Sequence, residues 1–282
     1  MPGTLYLVAT PIGNLEDITL RAIRVLREVA VVAAEDTRHT GKLLAHLGIH
    51  TPTTSFYEQN ELERIPRLVS RLASGESVAL VSDAGTPGIS DPGYRLVRAA
   101  VEAGITVQAV PGASAVLTAL VASGLPTHAF AFLGFPPPRA QARERWLAAL
   151  ATRQETVVFF EAPHRVRETL EAAARILGDR PAMVGRELTK LHEELIRGRL
   201  TEIVGQLTET RGEFTIVLAP ADKAEEAMPL PDSPALYREF CELTENEGLG
   251  RREAISRLAE RYGVPSRQVY SAVERGREGP AS

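Results

Sequence analysis

Two acids, a guanidinium and an imidazole crowd into Glu35-Asp36-Thr37-Arg38-His39-Thr40. A carboxylate beside an arginine suits removal of a proton from a hydroxyl while a phosphate is held nearby. Tyr57-Glu58-Gln59-Asn60-Glu61 is a second polar cluster; the first follows the apolar run Ala30 to Ala34 and the second follows Ser55-Phe56. The same residues also suit a helix cap with a solvated ion pair, so the pattern leaves both readings open. Four further segments place glycine, proline and small polar residues directly after apolar runs, where a ligand can approach backbone. They begin at Ala9-Thr10-Pro11-Ile12-Gly13, Ser82-Asp83-Ala84-Gly85-Thr86, Val110-Pro111-Gly112-Ala113-Ser114-Ala115 and Phe159-Phe160-Glu161-Ala162-Pro163. The stretch from Ser82 to Gly93, with three glycines and two prolines, is too irregular for a helix or strand and too long for a plain connection.

Several common chemistries are excluded. No G-x-G-x-x-G follows the first apolar run, and no P-loop motif occurs. Gly112-Ala113-Ser114-Ala115-Val116 approaches a nucleophile elbow, but Val116 replaces the second glycine that the strained turn requires. The six histidines are scattered without ligand spacing, and no metal is assigned. Cys241 is alone, which rules out an internal disulfide and fits a reducing compartment. The opening MPGTLYLVATPIG lacks the basic flank and long apolar run of a signal peptide, and no stretch reaches the length of a membrane span. A cytoplasmic protein with no membrane partner is expected.

The elements that must position these segments are legible from periodicity. Apolar runs at Leu5 to Ala9, Ala30 to Ala34, Val78 to Val81, Ile105 to Val110, Thr156 to Phe160 and Phe214 to Leu218 read as buried strands. Amphipathic helices lie between them, as in Leu62, Ile65, Leu68, Leu72 and in Val166, Leu170, Ala173, Leu177, with Gly75, Gly104 and Gly178 as stop signals. Alternation of this kind means α/β architecture. At 282 residues the chain has room for two lobes, residues 1–110 and 111–222. Residues 223–247 read as an acidic, proline-containing linker and helix, since 221–247 hold eight acids against two cations. Residues 248–282 read as a basic helix-turn-helix-like tail, Arg252 to Tyr262 and Arg267 to Arg275, with Ser266 as cap and, over 248–277, seven arginines against three glutamates. Thirty residues offer little core, so the tail is expected to dock on the body or on a partner. It suits a nucleic-acid contact, although a stabilising hairpin would look the same. The overall net charge of −4, which on its own disfavours nucleic acid, is thus an average over an acidic stretch and a basic one.

Taken together, Ala9 to Thr19, Glu35-Asp36-Thr37-Arg38, Ser82 to Gly93, Val110 to Ala115 and Phe160-Glu161-Ala162-Pro163-His164-Arg165 resemble the tetrapyrrole methylase superfamily, and within it the branch that acts on ribosomal RNA. The likeness runs in order from Thr4 to about Pro220 and continues into the tail. It implies two α/β lobes with S-adenosylmethionine folded into the cleft between them, a homodimer, and 2′-O-methylation of a decoding-centre cytidine (1402) in 16S ribosomal RNA, free or in the 30S subunit. On this chain the cofactor would meet Pro11, Ile12, Asp83, Ala84, Gly85, Thr86, Ser114, Ala115, Phe160, Glu161, Leu188, Ala219 and Pro220. Superfamily members that methylate tetrapyrroles carry Gly-Asp-Pro where this chain has Ser82-Asp83-Ala84, which favours the RNA branch over a tetrapyrrole C-methyltransferase. A non-catalytic RNA binder is the third reading.

A ribose hydroxyl is a poor nucleophile until its proton is leaving. The expected base is Asp36, with Arg38 on the neighbouring phosphate and Glu58 and Asn60 as alternates. RNA contacts are expected from Arg139, Arg143 and Arg145 around Trp146, and from Arg251, Arg252 and Arg267 in the tail, because arginine with an aromatic suits single-stranded RNA. Trp146 also fits the core face of a helix.

Overall fold

Strands that are apolar at every residue must be covered on both faces, and helices have to supply the cover. The computed structural model describes residues 1–221, 230–246, 248–262 and 264–278. Its first sheet holds β1 (Thr4–Val8), β2 (Val31–Ala34), β3 (Thr53–Ser55), β4 (Val78–Val81) and β5 (Thr106–Val110), all parallel, in the order β3-β2-β4-β1-β5. Alternate residues feed two cores. Val8, Val32, Ala34 and Val81 pack with Ala22, Val25 and Leu26 of α1 (Leu20–Glu28) and Leu44 of α2 (Thr37–His46). Leu5, Val31, Ala33 and Leu80 pack with Leu68 and Leu72 of α3 (Glu61–Ala73) and Leu96 of α4 (Tyr94–Glu102). Gly75, Gly104 and Gly178 take positive φ at or just beyond the helix ends, as their places in the sequence predict.

Five more strands make the second sheet: β6 (Phe130–Phe132), β7 (Thr156–Glu161), β8 (Pro181–Arg186), β9 (Glu194–Arg199) and β10 (Phe214–Leu218), in the order β6-β7-β10-β8-β9. Here β6 and β7 are parallel, while β10 runs antiparallel to both of its neighbours and β9 antiparallel to β8. One face is covered by α6 (Ala140–Ala148), α7 (Val166–Leu177) and α8 (Leu200–Gln206). The other carries α5 (Ala115–Ala122), whose Val116, Ala119 and Leu120 pack with Val158, Met183, Val217 and Leu188. Ile12, from the end of β1, joins this same cluster and so ties the two sheets together.

Met1–Pro220 forms one compact unit and Ala221–Ser282 a second. The second contains α9 (Ser233–Cys241), a π-helical turn (Glu242–Asn246), α10 (Arg251–Tyr262) and α11 (Ser266–Glu278). Within the segment expected to hold a linker and a helix, residues 233–246 are helical throughout. Leu236 and Leu243 are buried with Leu258, Tyr262, Val269 and Val273, so this segment supplies the core that the two-helix hairpin lacked. Pro234 does not break α9 because it lies in the first turn, where its missing N–H has no helical partner to lose; Asp232 caps the helix by accepting from the Ala235 N–H at 2.9 Å. A Cβ on Gly276 of α11 would run into the Ser233 carbonyl, so glycine permits that crossing. Ser266 is the first residue of α11 rather than its cap, and the preceding Pro265 carbonyl accepts from the Val269 N–H. Residues 222–229 of the acidic stretch, with Glu247 and Gly263, lie outside the described residues.

Candidate active site

In a parallel sheet all carboxyl ends share one edge, and β4, β1 and β5, side by side, deliver the Ser82, Ala9 and Pro111 segments to it. The long loop is pinned there by a two-residue bridge: Thr10 and Gly85 exchange N–H to carbonyl bonds of 2.9 and 3.0 Å, and the Thr10 hydroxyl donates to the Ser82 carbonyl. Gly85 sits at φ +83°, a conformation costly for any residue with a side chain. The Thr86 hydroxyl reaches the Ala113 carbonyl at 3.5 Å, and Ser114 caps α5 by accepting from the Leu117 N–H at 3.4 Å.

These segments close one side of a cavity of about 390 Å³, within the range of small-molecule sites. Ile12, Ala84, Gly85, Thr86, Ser114 and Ala115 line it, and so do Ile89, Ser90, Asp91 and Val116. The other side comes from Phe160 and Glu161 at the end of β7 with Ala162 and Pro163 just beyond it, from Gly212 to Thr215 at the start of β10, and from Phe135. Phe160 stacks edge-on with Phe132 at 4.9 Å and lies 5.4 Å from Phe135, which makes an aromatic wall. Glu161 reaches the cavity edge, yet its carboxylate is closed off by the Thr169 hydroxyl at 2.6 Å, the Ala162 N–H at 2.7 Å and the Arg165 guanidinium at 2.6 Å.

Other residues expected at the cofactor lie elsewhere. Pro11 is buried between Thr10 and Ile12, outside the lining. Asp83 is also outside it; its carboxylate accepts from the Asp36 N–H at 3.0 Å and ties the ends of β4 and β2 together. Leu188 is buried under the cavity, packed in one cluster with Ile12, Val116 and Met183. Ala219 and Pro220 lie away from this cavity. Because β10 is antiparallel to β7, Phe214 pairs with Glu161 at the cavity edge, whereas Leu218 pairs with Val157 at the far edge, and Ala219 continues away from it by donating to the Pro181 carbonyl. The start of β10, not its end, meets the cavity.

The acid and base candidates are rearranged as well. Asp36 caps α2, accepting from the Arg38 N–H at 2.8 Å, and the Arg38 guanidinium grips it at 3.1 and 2.7 Å. These hydrogen bonds hold its carboxyl well below the usual carboxylate range and leave it a weak base. Asn60 is stitched into its own turn, accepting from the Tyr57 N–H and donating to Ser55, while Glu58 is exposed. Neither Asp36, Arg38, Glu58 nor Asn60 lines the cavity. Asp91 does, and burial first, then repulsion from Glu35 and Asp83, pushes it up to about 6, against a hydrogen bond from Ser82 that lowers it. Glu35 is also raised, by burial and then by Asp83.

Of the arginines, Arg143 is corrected: it is 4% exposed, donates to the Pro138 carbonyl at 3.2 Å and pairs with Glu168 at 2.9 Å. Every third or fourth residue of α6 faces the core, and Arg143 falls on that face with Leu147. Arg139 and Arg145 are exposed. Trp146 packs edge-on against Phe159 at 5.2 Å as part of the core. In the second unit an open groove of about 930 Å³ is lined by Arg251, Arg252, Arg267, Tyr270, Ser256 and Ser266. Arg251 lies 5.6 Å over the Tyr270 ring and pairs with Glu274.

Comparison with known proteins agrees with this architecture. Residues 4–204 match the family model for tetrapyrrole (corrin/porphyrin) methylases. The chain is 47% identical over 274 residues to ribosomal RNA small subunit methyltransferase I of Micromonospora olivasterospora, covering 96% of this chain and 86% of that one. It is 46% identical over 273 residues to the protein of the same name from Bacillus subtilis, covering 96% and 94%. Among solved structures, uroporphyrin-III-C-methyltransferase from Thermus thermophilus superposes with a TM-score of 0.54 at 25% identity, over 77% of this chain and 94% of that one. The chain belongs to the tetrapyrrole methylases and, among them, to the ribosomal RNA small subunit methyltransferase I family.

Proposed function

We propose that this chain is an S-adenosylmethionine-dependent ribosomal RNA methyltransferase, and that it transfers the methyl group to the ribose 2′-hydroxyl of the decoding-centre cytidine 1402 of 16S RNA. The observation that carries the reading is the cavity at the edge where the two sheets meet. Its make-up fits the cofactor: Ile12, Val116, Phe160 and Phe214 offer apolar walls for a purine, and the first-turn amides of α5, which have no acceptor within the helix, suit a carboxylate. Asp91 and the carbonyls of the irregular loop suit cationic groups. When bound, the cofactor supplies a methyl group on a positively charged sulfur that becomes neutral on transfer.

The protein's own contribution is largely positioning. In-line displacement needs three atoms aligned, and alignment of this kind supplies effective molarities of about 10⁵–10⁸ M in intramolecular analogues. The Thr10–Gly85 bridge and the Ser114 cap fix the lining segments before any ligand arrives. RNA would be held by exposed arginines: Arg139 and Arg145 at α6, and the Arg252 and Arg267 groove, where the Tyr270 ring offers a stacking surface. Leu117 and Val121, one turn apart on α5, are exposed apolar residues that a second copy of the chain would cover. Val121→Glu would then sediment as a monomer where the wild type sediments as a dimer.

Labelled methyl groups from S-adenosylmethionine, added with 30S subunits or naked 16S RNA, test the reading. Label on a ribose at one cytidine is expected. Label on a base, or transfer to a tetrapyrrole and not to RNA, would overturn it.

A further inference from the structure

Three carboxylates line the cavity, and two are already engaged. Glu161 accepts from Thr169, Ala162 and Arg165, and Glu213 is an exposed residue whose carboxylate lies 3.2 Å from the Lys190 ammonium. Asp91 differs from both. It stands near the end of the pinned Ser82 to Gly93 loop, half-buried, with the Ser82 hydroxyl as hydrogen-bond neighbour and the carboxylates of Glu35 and Asp83 close by. Glu35 follows β2 and Asp83 follows β4, so two adjacent strand ends bring negative charge near it.

Resting on the ribose-methylation reading, we infer that Asp91 is the general base that accepts the 2′-hydroxyl proton during transfer. As the ribose oxygen forms its bond to the methyl carbon, the carbon–sulfur bond breaks and its electron pair stays on sulfur, which ends neutral. The hydroxyl proton passes to the Asp91 carboxylate and then to water, so charge and atoms balance. Asp36, the residue that pattern alone favoured, is paired with Arg38 and does not line the cavity. A carboxyl pushed up to about 6 is ionised at neutral pH, yet is a stronger base than an ordinary aspartate. The acidic neighbours that raise it also favour a sulfonium over its neutral product.

Asp91→Asn tests the role. Single-turnover methylation of 16S RNA at saturating S-adenosylmethionine is expected to fall by about 10²-fold or more, a larger loss than that of cofactor affinity by calorimetry, which falls only through the missing charge beside the sulfonium. Wild-type kcat/KM is expected to rise with pH through about 6 and then level; the residual kcat/KM of the variant should lack that limb. Asp91→Glu, which keeps a carboxyl, should recover part of the rate. Asparagine also removes a buried like charge, so its melting temperature at pH 8 should be no lower than wild type. Full turnover by Asp91→Asn, or an unchanged pH limb in it, would overturn the assignment while leaving ribose methylation intact. A wild type that labels no ribose would overturn both. If Asp91→Asn fails to fold, the wild-type pH profile and the glutamate variant still decide: a flat kcat/KM profile between pH 5 and 8 excludes Asp91.

Discussion

Glu161→Gln separates two roles that a cavity-lining carboxylate can have. If Glu161 serves the ligand, the change should strike cofactor affinity; if it serves the fold, it should strike stability. The structure argues for the fold. The side chain is 0% exposed, one oxygen accepts from both the Ala162 N–H and Arg165, and the other accepts from the Thr169 hydroxyl. Glutamine keeps one acceptor for the Arg165 side, and the Thr169 hydroxyl can turn to accept from the new amide. What is lost is the charge opposite a guanidinium whose side chain is only 13% exposed. A charge-assisted hydrogen bond contributes about 1.5–3 kcal/mol, and breaking a buried pair outright costs about 3–5 kcal/mol. With an acceptor retained, about 2–3 kcal/mol is expected. For a unit of 220 residues, where each kcal/mol shifts the melting temperature by about 2–4 °C, this is a fall of roughly 4–12 °C. Thr169→Val should cost about 1 kcal/mol, and the double variant less than the sum, since both residues share one network. Calorimetric melting with and without S-adenosylmethionine reads both quantities. An unchanged melting temperature combined with a tenfold loss of affinity would refute the reasoning and return Glu161 to the ligand.

The arginines make opposite predictions. Arg143→Ala should destabilise the fold by about 1–3 kcal/mol through its unpaired Pro138 and Glu168 contacts, with RNA affinity unchanged. Arg252→Ala should leave the melting temperature alone and flatten the salt dependence of RNA binding by about 0.7 in log–log slope, as expected for one lost phosphate contact on single-stranded RNA. Ala115→Leu, which fills the cavity, should weaken S-adenosylmethionine binding more than tenfold, whereas Pro220→Ala at the far edge should not change it; equal effects in calorimetry would mean that the site is misplaced. A bound sulfonium should lower the Asp91 pKa by opposite charge. The acid limb of kcat is therefore expected at lower pH than that of kcat/KM, whose free-enzyme limb lies near 6.

What could be read from the residues, and what could not, divides along physical lines. The runs Val78 to Val81 and Phe214 to Leu218 coincide with β4 and β10 because a strand buried on both faces needs unbroken apolar composition. Four strands escaped. Thr53–Ser55 and Phe130–Phe132 are three-residue edge strands, and Pro181–Arg186 and Glu194–Arg199 carry Gly185, Gly198 and charged residues that dilute the pattern. The loop segments were visible as chemistry, since glycine and proline mark backbone that no regular element uses. Which face a charged residue takes was not: Arg139 and Arg145 are exposed while Arg143, between them, is buried, and arginine clustering looks the same in both cases.

Strand direction is the deeper omission, because a buried strand has the same composition whichever way it runs. Ala219 and Pro220, carried over from the resemblance, would meet this cavity only if β10 ended at it as the strands of a parallel sheet do. That holds for the first sheet, where all five strands are parallel and the Asp83 to Asp36 bond joins two neighbouring carboxyl ends. It fails for β10, reversed between β7 and β8, so that its opening residues Phe214 and Thr215 lie beside Glu161 and Arg186. Direction is set by the connections: β7 returns through α7 to β8, which lies parallel to it with one strand position left between them, and β10 enters that gap in the opposite sense. The consequence is chemical. A parallel β10 would bring Ala219 and Pro220 to the cavity, with no N–H on the proline; the reversed strand brings Gly212 to Thr215 instead. Backbone donors and acceptors at a strand's start are thereby added to those at strand ends, and the cavity gains a wall that no inspection of β10 alone would assign to it.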